Sequence, residues 1–174
     1  MRGRELRTFA FVAVLAGCGA PAATGHDPAA PVAATAPKGE PLTAEAARAK
    51  WSSLVAEETE VVHAIDEMAG LPPDARMKRL SRARDGAGFL SGGLGAMNVP
   101  SELGACHTMA LEGARALKIA LDGINDVWMG RVQADRAASA KLAEAICLGA
   151  GRMAAGRTSC AVPGSVPAPL ACTP

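Results

Sequence analysis

Seven residues between positions 47 and 68 constrain the fold more than any other stretch. Ala47, Trp51, Leu54, Glu58, Val61, Ile65 and Met68 follow one another in alternating steps of four and three. That spacing lines side chains along one face of an α-helix and marks the face as core-directed. Thr43 stands where an N-cap belongs, and Glu45 falls in the first turn, where a negative charge complements the helix dipole. Gly70 and the Pro72-Pro73 pair then stop the helix.

Three further helices follow from the same reasoning. The second starts near Asp74 and carries Met77, Leu80, Arg84, Ala87, Ser91 and Leu94 on its stripe. Gly86, Gly88, Gly92, Gly93 and Gly95 each weaken it by up to about 1 kcal/mol relative to alanine. Ala83, Ala87, Ser91 and Gly95 recur every four residues and suit close approach of a neighbouring helix. Val99-Pro100-Ser101 breaks the chain, and the third helix then carries Leu103, His107, Ala110, Ala114, Leu117 and Leu121. Two positions compete for the next turn. Gly123 can take the left-handed C′ position, with Ile124 as its hydrophobic contact and Asn125 as the next N-cap; Gly130 is the rival. The fourth helix is placed from about residue 126 to at least 148, with Trp128, Val132, Asp135, Ser139, Leu142 and Ile146 inward.

Charge ties the first two helices together. Glu57, Glu58, Glu60, Asp66 and Glu67 crowd the end of the first, and Arg76, Lys78, Arg79, Arg82 and Arg84 the start of the second. Each set opposes its own helix dipole, but folding back about residue 71 brings the two sets face to face. An exposed pair contributes only ~0.2–1 kcal/mol, so the pattern specifies a hairpin more than it stabilises one. Beyond residue 18 the aromatic residues are Trp51, Phe89 and Trp128, so the core must be closely packed Ala- and Leu-rich helices. The expectation is an all-α fold, an antiparallel up-down-up-down four-helix bundle over residues 43–156 with a Pro-rich tail over 157–174. A coiled-coil dimer is the alternative, because the stripes are narrow.

The N-terminus carries a different kind of information. Arg2, Arg4 and Arg7 precede an eight-residue apolar run from Phe9 to Ala16, then Gly17 and Cys18. This is the layout of a secretory signal peptide, and the run is far short of the ~20 residues a membrane-spanning helix needs. Leu15-Ala16-Gly17-Cys18 resembles the lipobox of bacterial lipoproteins at all four positions. The resemblance implies a diacylglyceryl thioether on Cys18, removal of residues 1–17 and acylation of the freed amine. Two or more chains at ~0.8 kcal/mol per buried methylene anchor a protein stably. Gly19 stands where Asp would signal inner-membrane retention, so the resemblance favours the outer membrane of the bacterial envelope. Residues 18–42 then read as the lipidated cysteine and a Pro/Ala-rich tether, too poor in large apolar side chains to offset the cost of ordering. Extended, such a tether reaches roughly 75 Å at ~3.1 Å per residue.

With residues 1–17 removed, three Arg and one Glu are lost, leaving 15 basic and 16 acidic side chains. A net charge near −1 supplies no basic field for nucleic acid. Lipidation of Cys18 also leaves an even set, Cys106, Cys147, Cys160 and Cys172, which in an exported protein reads as two disulfides. A turn near residue 124 brings Cys106 close to Cys147 and leaves Cys160 with Cys172. A turn at Gly130 matches Cys106 to Cys160 instead.

A few polar residues sit on core stripes. Level-matching across the turns places Glu58, Arg84 and Asp135 in one interior layer, able to hold a ligand or fix register; the ordinary alternative has them at stripe edges with Arg84 snorkelling. His107 on the third stripe reads as a hydrogen-bonded core histidine, with haem or metal ligation as the rival role. Glu60 and His63 have E-x-x-H spacing but fall off their stripe, and a di-iron bundle needs two such pairs. No nucleophile–base set or phosphate loop is present in the sequence, and no metal or other cofactor is expected. The expected protein is a non-enzymatic, membrane-anchored lipoprotein with a structural role or an envelope protein partner. The competing expectation is a small-molecule, haem or metal binder using the helical interior.

Overall fold

Thr43 caps the first helix from the extended region, its Oγ1 accepting from the Ala46 N–H at 3.2 Å. The computed structural model describes residues 40–169 and Cys172, and the described residues form helices and connecting turns without a strand. The lipobox-like stretch and Cys18 lie outside the described residues. Among the described residues, Leu42 already contacts the helical domain. The Leu42 N–H donates to the Asn98 carbonyl at 2.8 Å, and the Leu42 side chain lies against the core, so this last residue of the expected tether belongs to the domain.

The first predicted helix is realised as two, α1 (Ala44–Ser52) and α2 (Val55–Glu67). Ser53 Oγ donates back to the Lys50 carbonyl at 2.6 Å, and the Leu54 N–H reaches Trp51 at i−3. Such back-bonding and 3₁₀ tightening bend a helix without ending it. Both joining residues keep right-handed dihedrals, and all seven stripe residues from Ala47 to Met68 are buried. A 3₁₀ turn, Met68–Gly70, leads to α3 (Pro73–Gly95), which opens with Pro73 in the first turn. Leu80, Ala83, Ala87, Leu90 and Leu94 form its buried face. The expected charge matching is partly realised: Arg82 pairs with Glu57 at 2.8 Å and Arg79 with Glu67 at 2.6 Å.

A second 3₁₀ turn, Ser101–Leu103, precedes α4 (Gly104–Trp128), and every residue of the third predicted stripe is buried. The helix does not end at Gly123. A Cβ there would stand 2.7 Å from Leu142 Cδ2, so the missing side chain admits Leu142 from the next helix and makes no turn. Asn125 is buried within α4 and caps nothing. The chain turns at Gly130, whose φ of +68° suits a residue without a Cβ. Its N–H donates to Val127 and the Arg131 N–H to Asp126, the paired bonds of a Schellman motif. Accordingly α5 spans Arg136–Ser159 and does not start near residue 126. That shift overturns the expected inward set. Val132 and Asp135 are exposed, while Ile146, Gly149, Met153, Gly156 and Arg157 are buried. No helix among the described residues is long and apolar enough to cross a membrane.

Candidate functional site

Disulfides join Cys106 to Cys160 and Cys147 to Cys172, with Cα–Cα distances of 5.6 Å and 5.3 Å. The first pairing follows from the turn at Gly130, which carries Cys160 back to the start of α4. The second holds down the segment after α5. Ala161 at φ +54° turns the chain out of α5, and the Val162 N–H closes a Schellman pattern on the Arg157 carbonyl. Val162 and Pro169 are buried, so the expected extended tail is a strap laid across the helices. Gly164, at φ +105°, presses on α2, where a Cβ would meet Val55 Cγ1 at 2.8 Å.

Arg157 occupies the junction of α2, α5 and the strap. Its Nη1 donates to the Gly164 carbonyl at 2.6 Å, and its Nε lies 3.5 Å from Glu58 Oε2. The two side chains are 6% and 7% exposed, so the pair is a buried one. The Arg157 Nε donates no hydrogen bond among the described residues, and its contact with Glu58 is the 3.5 Å ion pair alone. Burial pushes the Glu58 carboxyl above its ordinary value, with the Arg157 charge opposing that shift in part.

Glu58 also lines a cleft of about 250 Å³. Val61 and Val62 continue its α2 wall, Cys147, Ala150, Met153 and Ala154 form the α5 wall, and Val166 to Pro169 of the strap close it. Leu117 of α4 stands at its base. The cleft is mainly apolar, and among the described residues Glu58 is its one ionisable lining residue. Such a site can bind, with one buried acceptor fixing orientation.

The other residues singled out in the sequence go elsewhere. Arg84 does not join Glu58. It is part-exposed and donates to Asp122 of α4 at 2.8 Å, beside Lys118. Burial alone would raise the Asp122 carboxyl, but hydrogen bonds from Lys118 and Arg84 outweigh it and hold the group below its ordinary range. Asp135 is the N-cap of α5, accepting from the Ala138 N–H at 2.7 Å, and is exposed. The expected layer of Glu58, Arg84 and Asp135 does not form: the turn at Gly130 leaves Asp135 at the exposed start of α5, and the α2–α3 register, with Val61 facing Gly86, does not bring Arg84 level with Glu58. His107 is buried, with Nε2 2.9 Å from the Leu94 carbonyl and its ring edge-on to Trp51. Its contacts are those of a packed core histidine. No group of three or more potential metal-ligating side chains occurs among the described residues.

Arg157 is the partner that sequence reasoning missed. Gly149, Gly151 and Gly156 after Leu148 are weak helix formers and mask the continuation of the last helix in the sequence. Ile146, Met153 and Arg157 are spaced by seven and four, a signal that could have extended it. No family model, curated protein or solved structure matches the chain.

The raised Glu58 titration gives a testable pH dependence. A carboxyl whose folded pKa lies above its unfolded value stabilises most while protonated in both states. That contribution is complete below about 4.5 and is lost as pH rises through the raised value. Urea unfolding of the wild type and of Glu58→Gln, run from about pH 4 to 8, should give curves that separate with rising pH. The wild type should fall relative to the variant, and parallel curves would contradict the assignment.

Proposed function

We propose that the protein is a lipid-anchored lipoprotein of the bacterial envelope, held in the outer membrane through Cys18, with a structural or partner-binding role and no catalytic chemistry. The observation that carries this is Leu15-Ala16-Gly17-Cys18 behind a basic and apolar leader. Two disulfides in the helical domain agree with an oxidising compartment. The composition of residues 19–42 suits a spacer between anchor and domain.

The domain itself is read as an up-down-up-down bundle of antiparallel helices, with α1 and α2 forming one bent member. Contact series support the direction of each neighbour. On α2 and α3, Leu54 faces Gly93, Val61 faces Gly86 and Glu67 pairs with Arg79. On α3 and α4, Arg84 pairs with Asp122, Gly88 faces Lys118 and Gly95 faces Leu111. On α4 and α5, Cys106 joins Cys160, Ala110 faces Gly156 and Gly123 faces Leu142. In every series position rises along one helix as it falls along the other.

Expression in a bacterial host fed an alkyne-tagged palmitate tests the anchor. The wild type should take up label, sediment with outer membranes and yield a mature N-terminus at Cys18. Cys18→Ala should lose the label and the membrane association. An unlabelled, uncleaved wild-type chain would refute the proposal.

A further inference from the structure

We infer that the cleft beneath the C-terminal strap is a binding site for a compact, uncharged and mainly apolar molecule that ends in a hydroxyl donor. The inference rests on the cleft alone and is independent of the lipid anchor. Size sets the first limit. A dry apolar cavity of roughly 150 Å³ is large enough to hold benzene. The cleft, at about 250 Å³, takes a substituted ring or a branched chain of similar bulk. Its walls set the second limit: Val61, Val62, Met153, Val166 and Pro169 present hydrocarbon surface that favours an apolar body.

Glu58 sets the third limit. Its side chain is 7% exposed and borders the cleft. The carboxyl is thus an acceptor that can be reached from the cleft, and a ligand O–H held there by the apolar walls would hydrogen-bond to it. Charge excludes the alternatives. An anion would approach the carboxylate, whereas Arg157, the neighbouring cation, does not line the cleft and donates to the Gly164 carbonyl. A cation would meet a carboxylate that Arg157, 3.5 Å away, already neutralises, and would be repelled by the guanidinium. An uncharged hydroxyl meets neither penalty.

Isothermal titration of the purified chain, both disulfides intact, tests this with four probes of one shape: p-cresol, toluene, p-toluate and 4-methylbenzylamine. p-Cresol should bind roughly five- to tenfold tighter than toluene, the worth of one hydrogen bond, and the two charged probes should bind more weakly than p-cresol. Methyl resonances of Val61, Val62 and Met153 should shift with p-cresol. Gly151 borders the cleft and is exposed, and an added Cβ meets nothing within 4 Å, so Gly151→Leu should fold and lose p-cresol binding at least tenfold. Glu58→Met should bring the p-cresol and toluene affinities together. If that variant does not fold, the probe ratio on the wild type and the Gly151→Leu result decide. Equal affinity for p-cresol and toluene, absence of p-cresol binding, or unchanged binding in Gly151→Leu would each overturn the inference.

Discussion

Replacing Cys106 and Cys160 together by alanine will lower the unfolding free energy by about 4 kcal/mol, with a fall in melting temperature of roughly 15 °C. The bond closes a loop of sequence separation 54, and the entropy removed from the unfolded chain grows with the logarithm of that length. Its position adds to the effect. Cys160 is 1% exposed, and its carbonyl accepts from Arg48 Nε at 2.8 Å, which ties α1 to the end of α5. Cys147 and Cys172 span only 25 residues and fasten the strap. Their replacement should cost less, because a strap free to fray in the folded state recovers part of the entropy the bond removed. Urea unfolding of both double variants checks the order. A loss for Cys147/Cys172 equal to or larger than that for Cys106/Cys160 would show that the strap, and not the α4–α5 staple, holds the domain together.

The order of those two effects bears on what the sequence revealed. The stripes from Ala47 to Met68 and from Leu103 to Leu121 could be read directly, because the spacing persists through the bend at Ser53 and the 3₁₀ turns at their ends and every member is buried. Thr43 could be read as a cap for an equally local reason. The α4–α5 turn was not decided at that level. Gly123 and Gly130 both look like helix ends in sequence, and only the packing partner separates them: Leu142 fills the space over Gly123, while Gly130 has no neighbour within 4 Å of an added Cβ and takes φ +68°. Misplacing that turn rotates the fourth stripe and misaligns every cross-helix pairing that depends on it.

The cleft was partly legible for the same reason. Glu58 stood out because a carboxylate on an otherwise apolar stripe needs a partner. The partner assigned from level-matching, Arg84, instead finds Asp122 at the edge of α3 and α4. Arg157 reaches Glu58 only because α5 extends to Ser159 and the strap returns over it to supply the Gly164 carbonyl. A non-local loop closed by a disulfide leaves no periodic signal, so neither the strap nor the space beneath it could be derived from spacing.

Gly156→Val will destabilise the domain by more than about 3 kcal/mol, at or beyond the upper end of ordinary overpacking. A Cβ at Gly156 would lie 2.5 Å from the Cys106 carbonyl oxygen and 2.8 Å from the Ala110 backbone nitrogen. Backbone cannot rotate aside as a side chain does, so the two helices must separate. The same contact recurs along the pair. A Cβ at Gly113 would meet the Gly149 carbonyl at 2.7 Å, and one at Gly149 would meet the Leu117 nitrogen at 2.9 Å. Gly92→Ala is the control: an added Cβ there has nothing within 4 Å, and removing a helical glycine should stabilise by up to about 1 kcal/mol. Urea unfolding free energies of the two variants should therefore move in opposite directions, and a neutral Gly156→Val would deny the backbone contact. Because Cys106 both meets Gly156 and bonds Cys160, Gly156→Val and the loss of that disulfide act on one contact. Combined, their costs should fall short of additivity by at least about 0.5 kcal/mol, since helices already parted by valine hold the Cys106–Cys160 bond under strain and lose less when it is removed.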